Sequence, residues 1–391
     1  MRDDADGTSG EADGVTGPEG GADGADRTET GDGGAAYPGA VELAAAYARA
    51  RPRLIRLAYA VLGSHAEAED VVSDCWLRLA EAHAREPVRD VDAWATVAVA
   101  RRAVDTLRSA RARRETYVGP WLPEPVLGWA ASPADPADRV TLDESVSFAL
   151  LVVLETLSPA ERTAWVLHDL FGVEFTDVGR VVGRSTAAVR QLAARARKHI
   201  ADGAPRTVVD AHEHEAAVAA FARAAGEGDL AALTAVLDPR VTLTSDGGGL
   251  VTAARKPVHG ADRVGRFLLG TASRMDAGQR LVATTVNGAP GLVVLAAPPD
   301  SAPPNVVPPN AGPPDSVRPV AQRRTSEPSS GQGGEGTATA GPPGQRLIAA
   351  ISLTFGDDHR IVRVDLVLTP DKLPTDVAAL TDEGMEPRDG R

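Results

Sequence analysis

The sequence predicts a multidomain protein whose first folded part is all-α and whose last part is an α+β domain. Between residues 41 and 200, apolar residues recur at three- and four-residue intervals, which is typical of amphipathic helices. After residue 208, two helical stretches are followed by short apolar runs separated by turn residues, which is typical of strands. The length of 391 residues suffices for more than one domain, each with its own core.

Two helices separated by a tight turn are predicted within residues 173–200, because Gly183 and Arg184 interrupt the apolar spacing. In a helix-turn-helix the second helix enters the major groove with its N-terminal residues at base edges. From residue 184 to 198 five residues are basic and none is acidic, which favours contact with phosphates. The candidate DNA-binding side chains are Arg184, Ser185, Thr186, Arg190, Gln191 and Arg195. The alternative is an ordinary helical hairpin with a solvated basic face.

Three further helices are predicted between residues 41 and 116. Gly63 ends the first, and Ser64 is placed to cap the second, whose outer face is acidic. Asp90 or Asp92 is placed to cap the third, whose later half is densely basic. Its candidate DNA-binding side chains are Arg101, Arg102, Arg108 and Arg111. The alternative for this half is a solvated charged face.

Composition narrows the classes of function. The formal net charge is −13, but residues 1–40 hold ten acidic residues against two arginines, whereas acids and bases balance at 21 each in residues 41–200. Local basic clusters therefore matter more than net charge. Residues 1–40 are expected to form a disordered acidic tail. The single cysteine, Cys75, excludes a disulfide framework and a multi-cysteine metal site. No apolar run approaches the roughly 18–20 residues of a membrane span, so we expect a cytoplasmic protein.

These motifs together resemble bacterial sigma factors of the extracytoplasmic-function group. LGSHAEAEDVVSDCWLRL is similar to their region 2 signature, AWATVAVARRAVDTLRSARARR to the segment that opens the promoter, and LSPAERTAWVLHDLFGVEFTDVGRVVGRSTAAVRQLAARARKHI to region 4. The resemblance implies region 2 at residues 41–116 and region 4 at residues 141–202. It also implies binding to core RNA polymerase and promoter DNA. The implied polymerase-binding residues are Glu67, Asp70, Val71, Asp74 and Trp76.

Residues 117–140 are the expected linker, and they contain an extended, proline-stiffened segment with a Trp-Leu pair. Such a segment is suited to docking on a neighbouring surface, and the alternative is a plain interdomain linker. The motif consists of Trp121, Leu122, Pro123, Glu124 and Pro125. It resembles the linker motif of extracytoplasmic-function sigma factors that carry a fused C-terminal SnoaL-like domain.

Two further motifs match this subgroup, each with one departure. The first consists of Asp246, Gly247, Gly248 and Gly249, and Leu250 stands where the family has a lysine. The second consists of Pro370, Asp371, Lys372 and Leu373, and Thr369 stands where the family has an asparagine. The resemblance implies a regulatory interdomain role for both motifs. The alternatives are a glycine turn between strands and a proline-broken strand end.

Residues 208–375 are predicted to be the fused domain, with helices followed by a curved antiparallel sheet in a cone-shaped α+β fold. Two of its helices are predicted to meet about Gly226. Residues 296–346 interrupt it with a disordered segment rich in Pro, Gly and Ser, which is expected to hang outside a hairpin whose strands still pair. Residues 376–391 are expected to be a tail.

The sequence predicts neither an enzyme nor a cofactor or metal site. His212 and His214 diverge on a helix without a third ligand, and no Gly-rich loop ends in Lys-Ser or Lys-Thr. Some SnoaL-like proteins are cyclases or isomerases, and His259, Asp262 and Asp365 are placed to line a small-ligand site in the C-terminal domain. Two alternatives stay open: a DNA-tethered ligand-binding or cyclase-like protein, and a conventional helix-turn-helix regulator.

Overall fold

The structure is a computed structural model that describes residues 39–114, 117–128, 146–203, 211–276, 278–297 and 345–375. The predicted acidic tail lies outside these ranges except for its last two residues. The predicted tail at 376–391, most of the insert at 296–346 and the beginning of region 4 also lie outside them. Within the described ranges, no helix combines the length and apolar character that crossing a bilayer requires.

The first part is a bundle of α1 (Ala40–Leu62), α2 (His65–Arg85) and α3 (Val91–Arg114). Gly63, with φ of 73°, follows the last residue of α1, and the Ser64 hydroxyl accepts a hydrogen bond from the N–H of Glu67 to cap α2. The Asp90 carboxylate accepts one from the N–H of Ala93 at 2.9 Å and so caps α3. These boundaries confirm the predicted helix ends.

The second part consists of α4 (Phe148–Leu154), α5 (Pro159–Trp165), a π-helical turn (Val166–Leu170), α6 (Phe175–Val182) and α7 (Thr186–Gly203). Ser158 and Glu161 form a capping box at the start of α5. Gly183 ends α6 in the left-handed conformation, with φ of 71°. Helix α6, this turn and α7 are the predicted helix-turn-helix.

Both helical parts share one apolar core, to which α1, α2 and α3 and the helices from α4 to α7 all contribute. Arg162 crosses the seam between them and is only 2% exposed. Its Nε donates to the carbonyl of Ala60 at 3.0 Å, and its Nη1 donates to Glu155 at 2.6 Å. Because a buried guanidinium needs such partners, these bonds fix how α5 sits against the end of α1.

The described residues of the last part form three helices, α8 (Ala211–Glu227), α9 (Leu230–Val236) and α10 (Ala261–Ala272). The break between α8 and α9 falls at Gly228, which has φ of 73°. The predicted break at Gly226 is therefore wrong by two residues, because Gly226 continues α8 and only Gly228 adopts the left-handed conformation.

Among the described residues, six strands form one sheet: β1 (Leu237–Asp246), β2 (Val258–His259), β3 (Gln279–Val286), β4 (Ala289–Ala296), β5 (Arg346–Phe355) and β6 (Ile361–Val367). Their order is β2-β1-β6-β5-β4-β3. The sheet is mixed, since β1 and β6 are parallel, with Leu243 opposite Val364. The predicted antiparallel sheet is wrong at this pair, because the last strand returns to the sheet beside the first and runs in the same direction.

The strands on either side of the predicted insert are paired. Strands β4 and β5 are antiparallel, with Leu292 opposite Ile351 and Ala296 opposite Arg346. The hairpin thus forms as predicted across the segment between them. Ala296 and Arg346, the predicted bounds of the insert, belong to the strands themselves.

The two faces of the sheet pack against different parts of the chain. One face meets α8, α9 and α10, and this core includes Phe221 and Leu233. The other face meets the linker and α4 through Leu122, Leu127 and Phe148. The sheet domain is therefore joined to the helical parts by apolar contact as well as by the polar contacts described below.

Candidate nucleic-acid interface and interdomain junction

The second helix of the helix-turn-helix presents the predicted basic face. Val189, Ala193 and Ala196 form its buried stripe. Opposite lie the six candidate DNA-binding side chains, of which Thr186 is half-buried and the others are exposed: Arg184, Ser185, Thr186, Arg190, Gln191 and Arg195. The structure therefore brings these candidates together on one accessible face.

Three of these side chains already have partners within the protein. The Ser185 hydroxyl accepts a hydrogen bond from the N–H of Ala188 at 3.3 Å and caps α7. The Arg190 guanidinium lies 5.5 Å from the ring centroid of Phe175, a cation–π contact that positions it early in the helix. Arg195 donates to Glu161 at 2.9 Å, and the hydrogen bond from Ser158, together with Arg195, lowers the pKa of Glu161.

The basic half of α3 exposes Arg101, Arg102 and Arg108. Arg102 lies 3.6 Å from the Asp74 carboxylate of α2, and Arg108 lies 3.5 Å from Asp105. Exposed ion pairs of this kind contribute little to stability, so these guanidiniums stay available to an anionic partner. Arg111 also belongs to α3, but its side chain lies outside the described part of the chain.

A pocket of about 360 Å³ lies between the end of α2 and the start of α3. It is lined by residues 86–90 together with Ala82 and Trp94. The N–H of Val88 donates to the ring of His83 at 3.2 Å and holds the loop against α2. The half-buried Trp94 is a suitable stacking surface for an unpaired base.

The outer face of α2 differs from the predicted polymerase surface at one position. Asp70 and Asp74 are exposed, and Glu67 and Trp76 are half-buried. Val71 is only 3% exposed and belongs to the core, so its prediction as a surface contact is wrong. Val71 lies three residues after Ala68 and four before Cys75, which places it on the apolar side of α2. Another residue of the same helix, Leu77, is 63% exposed, and the sequence did not predict it as a surface contact.

The three predicted interdomain motifs converge on the buried carboxylate of Asp246. Its Oδ2 accepts hydrogen bonds from Lys372 Nζ at 2.6 Å and from the N–H of Leu122 at 2.8 Å. Its Oδ1 accepts from the Thr369 hydroxyl at 2.9 Å and from the Tyr117 phenol. Burial and the hydrogen bond to Asp246 raise the pKa of Tyr117, which keeps the phenol protonated as a donor. One carboxylate, at the end of β1, therefore joins the linker to the segment that follows β6.

Lys372 completes this junction. Its Nζ also donates to the carbonyl of Leu122 at 2.6 Å and lies 3.1 Å from the ring centroid of Trp121. The Trp121 ring meets Tyr117 edge-on, with centroids 4.9 Å apart. Trp121 is half-buried and Leu122 is 1% exposed, so the Trp-Leu pair is docked as its sequence suggested. Pro123 and Pro125 are also buried.

The glycine motif forms a turn that passes close to the junction. Its glycines are Gly247, Gly248 and Gly249. Gly248 has φ of 62°, and a Cβ there would lie 2.9 Å from Thr369 and 3.1 Å from the Tyr117 hydroxyl, so a side chain does not fit. Leu250, which replaces the family lysine, is 67% exposed. A lysine contact in the junction is thus absent at this position.

The end motif begins as a 3₁₀ turn, Pro370–Lys372. Pro370 and Asp371 are exposed, whereas Lys372 and Leu373 are buried. Leu373 joins the apolar core between the sheet and the linker. Thr369, in place of the family asparagine, donates to the Asp246 carboxylate and so keeps a polar contact at that position.

Glu124 ties the linker to the beginning of α2. Its Oε2 accepts hydrogen bonds from the Ser64 hydroxyl at 2.8 Å and from the N–H groups of His65 and Ala66 at 2.9 and 3.3 Å. The N–H of Glu124 donates to the carbonyl of Gly63 at 2.8 Å. A carboxylate at a helix N-terminus satisfies free N–H groups and interacts favourably with the helix dipole. Glu124, 60 residues from Ser64 along the chain, thus supplies a second cap for α2, and no local sequence signal predicts it.

Asn287 makes a second polar link to the linker. Its N–H donates to the carbonyl of Val126 at 2.7 Å, and its Oδ1 accepts from the N–H of Val126 at 3.1 Å. Its Nδ2 donates to the Tyr59 hydroxyl of α1 at 2.8 Å. The Tyr59 hydroxyl in turn donates to the carbonyl of Glu124 at 2.6 Å. Sequence reasoning missed this role, because Asn287-Gly288 indicates only a hairpin turn.

Known sigma factors match the same division of the chain. A family model described as Sigma-70 region 2 matches residues 46–113, and one described as Sigma-70, region 4 matches residues 147–200. The ECF RNA polymerase sigma factor SigJ of Mycobacterium tuberculosis is 42% identical over 229 residues, which cover 58% of this chain and 72% of that protein. This chain belongs to the extracytoplasmic-function sigma factors.

Further similarity extends along this sigma factor. The probable ECF RNA polymerase sigma factor SigI of Mycobacterium tuberculosis is 38% identical over 237 residues, covering 58% of this chain and 76% of that protein. The crystal structure of Mycobacterium tuberculosis SigJ aligns with a TM-score of 0.59 and 31% identity, covering 85% of this chain and 100% of the other. An alignment of that extent includes the sheet as well as the helices. As a member of the family, this sigma factor binds core RNA polymerase and promoter DNA.

The polar residues predicted to line a ligand site each have a different partner. Asp262 is exposed and pairs with Arg266 at 3.0 Å on the same helix. Asp365 is buried and accepts a hydrogen bond from Arg363 at 2.6 Å, and burial raises the pKa of its carboxyl. His259 shares a hydrogen bond with Thr242 at 3.1 Å. Among the described residues, no group of three or more His, Cys, Asp or Glu could hold a metal ion.

Proposed function

We propose that this sigma factor is regulated in cis by its C-terminal region, which acts as a fused SnoaL-like domain. The observation that carries the proposal is the junction at Asp246, where the linker, the end of β1 and the segment after β6 meet in one buried hydrogen-bond network. The fold supports the domain identity, because three helices cover one face of a sheet that returns beside its first strand.

The junction reaches both DNA-binding regions through the linker. Glu124 caps α2 in region 2, and the apolar core beside it includes Phe148 of region 4. The docked domain therefore holds the linker against both regions at once. Because the domain is covalently attached, its effective concentration at the linker is high and no separate inhibitor protein is needed to occupy this surface.

Within this scheme, each region has a separate task. The outer face of α2, with Asp70, Asp74, Glu67 and Trp76, docks on core polymerase. The exposed arginines of α3 and the pocket beside Trp94 hold the unwound strand, combining phosphate contacts with a stacking surface. Helix α7 reads the upstream promoter element in the major groove.

Run-off transcription with purified core polymerase tests the regulation. The chains to compare are the intact protein, a chain ending at Gly203 and a chain ending at Thr369. We expect the first truncation to lower transcription, because the C-terminal domain as a whole also contributes to polymerase binding. We expect the second to raise it, because it removes Lys372 from the junction.

The Trp121→Ala variant of the full chain tests the linker side of the same junction. It should alter transcription without lowering affinity for duplex DNA that carries the upstream element, because Trp121 contacts Lys372 and Tyr117 and is not one of the candidate DNA-binding residues. If both truncated chains and this variant transcribe like the intact chain, the C-terminal domain does not regulate transcription and the proposal is wrong.

A conventional helix-turn-helix regulator would behave differently in one simple assay. A sigma factor co-purifies with core polymerase in the absence of DNA, whereas a conventional regulator binds duplex DNA alone. Because this chain belongs to the sigma factors, we expect it to co-purify with core polymerase.

A further inference from the structure

A cavity of about 500 Å³ lies where the two sigma regions, the linker and the sheet domain meet. Its walls include Leu107 of α3, Leu122 of the linker, Val152 and Leu157 of region 4, and Thr244 and Arg363 of the sheet. Small-molecule sites usually have volumes of about 300–1,000 Å³. The cavity is therefore of a size that holds a small organic molecule.

The cavity has an apolar floor and a polar wall. Leu107, Leu122 and Leu157 are each at most 5% exposed, so they form a floor away from solvent. Thr242, His259 and Arg363 line the side contributed by the sheet, and His259 is exposed at the mouth. An occupant would thus place an apolar body inward and a polar group against the sheet.

The polar groups that remain available on the walls are mainly donors. Arg363 donates through Nε to Asp365 at 2.6 Å and through Nη2 to Thr244 at 3.3 Å, and no hydrogen bond of the described residues uses its Nη1. Arg162, 2% exposed, also lines the cavity, and its Nη2 has no hydrogen-bond partner among the described residues. The carboxylate of Glu155 on the same wall is already bonded to Arg162 at 2.6 Å.

We propose that this cavity binds an amphipathic organic anion, with an apolar or aromatic body on the leucine floor and one acidic group on Arg363. Each guanidinium already has one carboxylate partner, Glu155 for Arg162 and Asp365 for Arg363, so the site is close to neutral and suits a single negative charge. His259, exposed at the mouth, adds a ring nitrogen beside the place of the acidic group.

Occupancy of this cavity depends on the docked arrangement. Its walls come from α3, the linker, region 4 and the sheet, so undocking the sheet domain would divide the site. A ligand that binds only the docked state shifts the population toward that state. The site thus deepens, and rests on, the proposed regulation in cis, with the anion as the signal that favours docking.

Two fluorescent probes with the same rings test the site in the full-length chain. Anilinonaphthalene sulfonate carries one negative charge, and N-phenyl-1-naphthylamine carries none. We expect saturable binding of one sulfonate probe per chain. In Arg363→Gln, affinity for the sulfonate should fall at least about tenfold while affinity for the neutral probe stays within about twofold, because only the anion loses a charge-assisted bond.

Two further variants show where the probes bind. Thr242→Trp places a bulky ring in the half-buried wall of the cavity and should weaken both probes. Arg274→Gln removes an exposed arginine of the same domain that does not line the cavity, and should bind both probes like the wild type. Thermal unfolding of each variant checks whether the fold is retained.

The outcomes separate the site from the regulation. If the sulfonate does not saturate, or if Arg363→Gln and Thr242→Trp both bind it like the wild type, the site is wrong even when truncation changes transcription. If the variants behave as expected while the chains ending at Gly203 and Thr369 transcribe like the intact chain, the binding site stands and the regulation in cis fails.

Discussion

Asp246 is a carboxylate at 0% exposure that is held by donors from the linker and from the end of the sheet domain. Burying an ionised carboxylate is unfavourable unless hydrogen bonds and an opposite charge compensate for the lost water. Lys372 supplies the charge, and Leu122, Thr369 and Tyr117 supply further donors. Docking of the linker therefore completes the partners that this buried carboxylate needs.

Replacing Asp246 should show how much the junction contributes. Asp246→Asn leaves the buried Lys372 ammonium without its counter-charge, so we expect the free energy of unfolding to fall by about 3–5 kcal/mol. Urea unfolding followed by circular dichroism measures the change. In the double variant Asp246→Asn/Lys372→Met the loss should be smaller than the sum of the two single losses, because neither charge is left alone. A loss below about 1 kcal/mol in the single variant would contradict a buried ion pair.

Arg190 tests promoter reading at the scale of one side chain. We expect Arg190→Ala to weaken use of the upstream promoter element by about 1–3 kcal/mol if the guanidinium reads a base, and by less, uniformly across sequences, if it contacts phosphate. Transcription from a set of promoters mutated in that element measures the effect, with Arg274→Ala as the control. Wild-type transcription from every promoter would show that Arg190 makes no contact with DNA.

Individual contacts of this kind were predictable only where the partner is close in sequence. Ser64 and Asp90 cap their helices as expected, because a cap and its N–H groups lie within three residues. The cap supplied by Glu124 and the bonds of Asn287 could not be predicted, since their partners are brought together by the packing of distant elements. The burial of Val71 could be predicted from helical periodicity alone.

At the scale of elements, the helix-turn-helix followed from local pattern, and the direction of the last strand did not. Apolar spacing and Gly183 define α6 and α7 within one continuous stretch. The parallel pairing of β1 with β6 depends on how the whole intervening chain is routed, and alternation of side chains carries no information about strand direction. The two-residue strand β2 is too short to produce any pattern.

The basic face of α3 should serve strand opening. We expect replacement of Arg101 and Arg102 together by alanine to spare binding to core polymerase and to lower formation of the open complex, because exposed cations suit contact with the phosphates of a melted strand. Permanganate reactivity of thymines near the start site measures opening, with the exposed Arg223→Ala of α8 as the control. Unchanged reactivity would contradict a role of α3 in strand opening.

The segment between β4 and β5 should be dispensable for the fold. Since Ala296 is paired with Arg346, residues 298–344 can be replaced by a short turn without changing the register of the hairpin. We expect the thermal midpoint and run-off transcription to stay close to the wild type. A control deletion that also removes Ala296 and Arg346 should cost stability. A large loss in the first variant would assign the segment a structural or regulatory role.

At the scale of the whole molecule, the described part of the chain from α1 onward is linked by three apolar cores and by polar groups at their seams. Arg162 joins the first two helical parts, Glu124 joins the linker to α2, and Asp246 joins the linker to the sheet domain. The order of these parts was predictable from sequence. Their mutual packing was suggested only by the docking character of the linker motif.

The central claim is that docking of the C-terminal domain on the linker controls the sigma regions. Leu127 of the linker and Val286 of β3 are partners in an isolated antiparallel bridge, and residues paired in this way are close enough for a disulfide. The double variant Leu127→Cys/Val286→Cys, built in a Cys75→Ser background, can therefore be locked by oxidation and released by reduction.

The decisive measurement is run-off transcription by this variant with core polymerase before and after reduction. The background protein without the engineered pair controls for effects of the oxidant itself. If the domain must undock or shift for regulation, the oxidised protein should transcribe less than the same protein after reduction, while the background protein should not respond. Equal transcription by the oxidised and reduced forms, with the disulfide verified by mass spectrometry, would contradict control by docking.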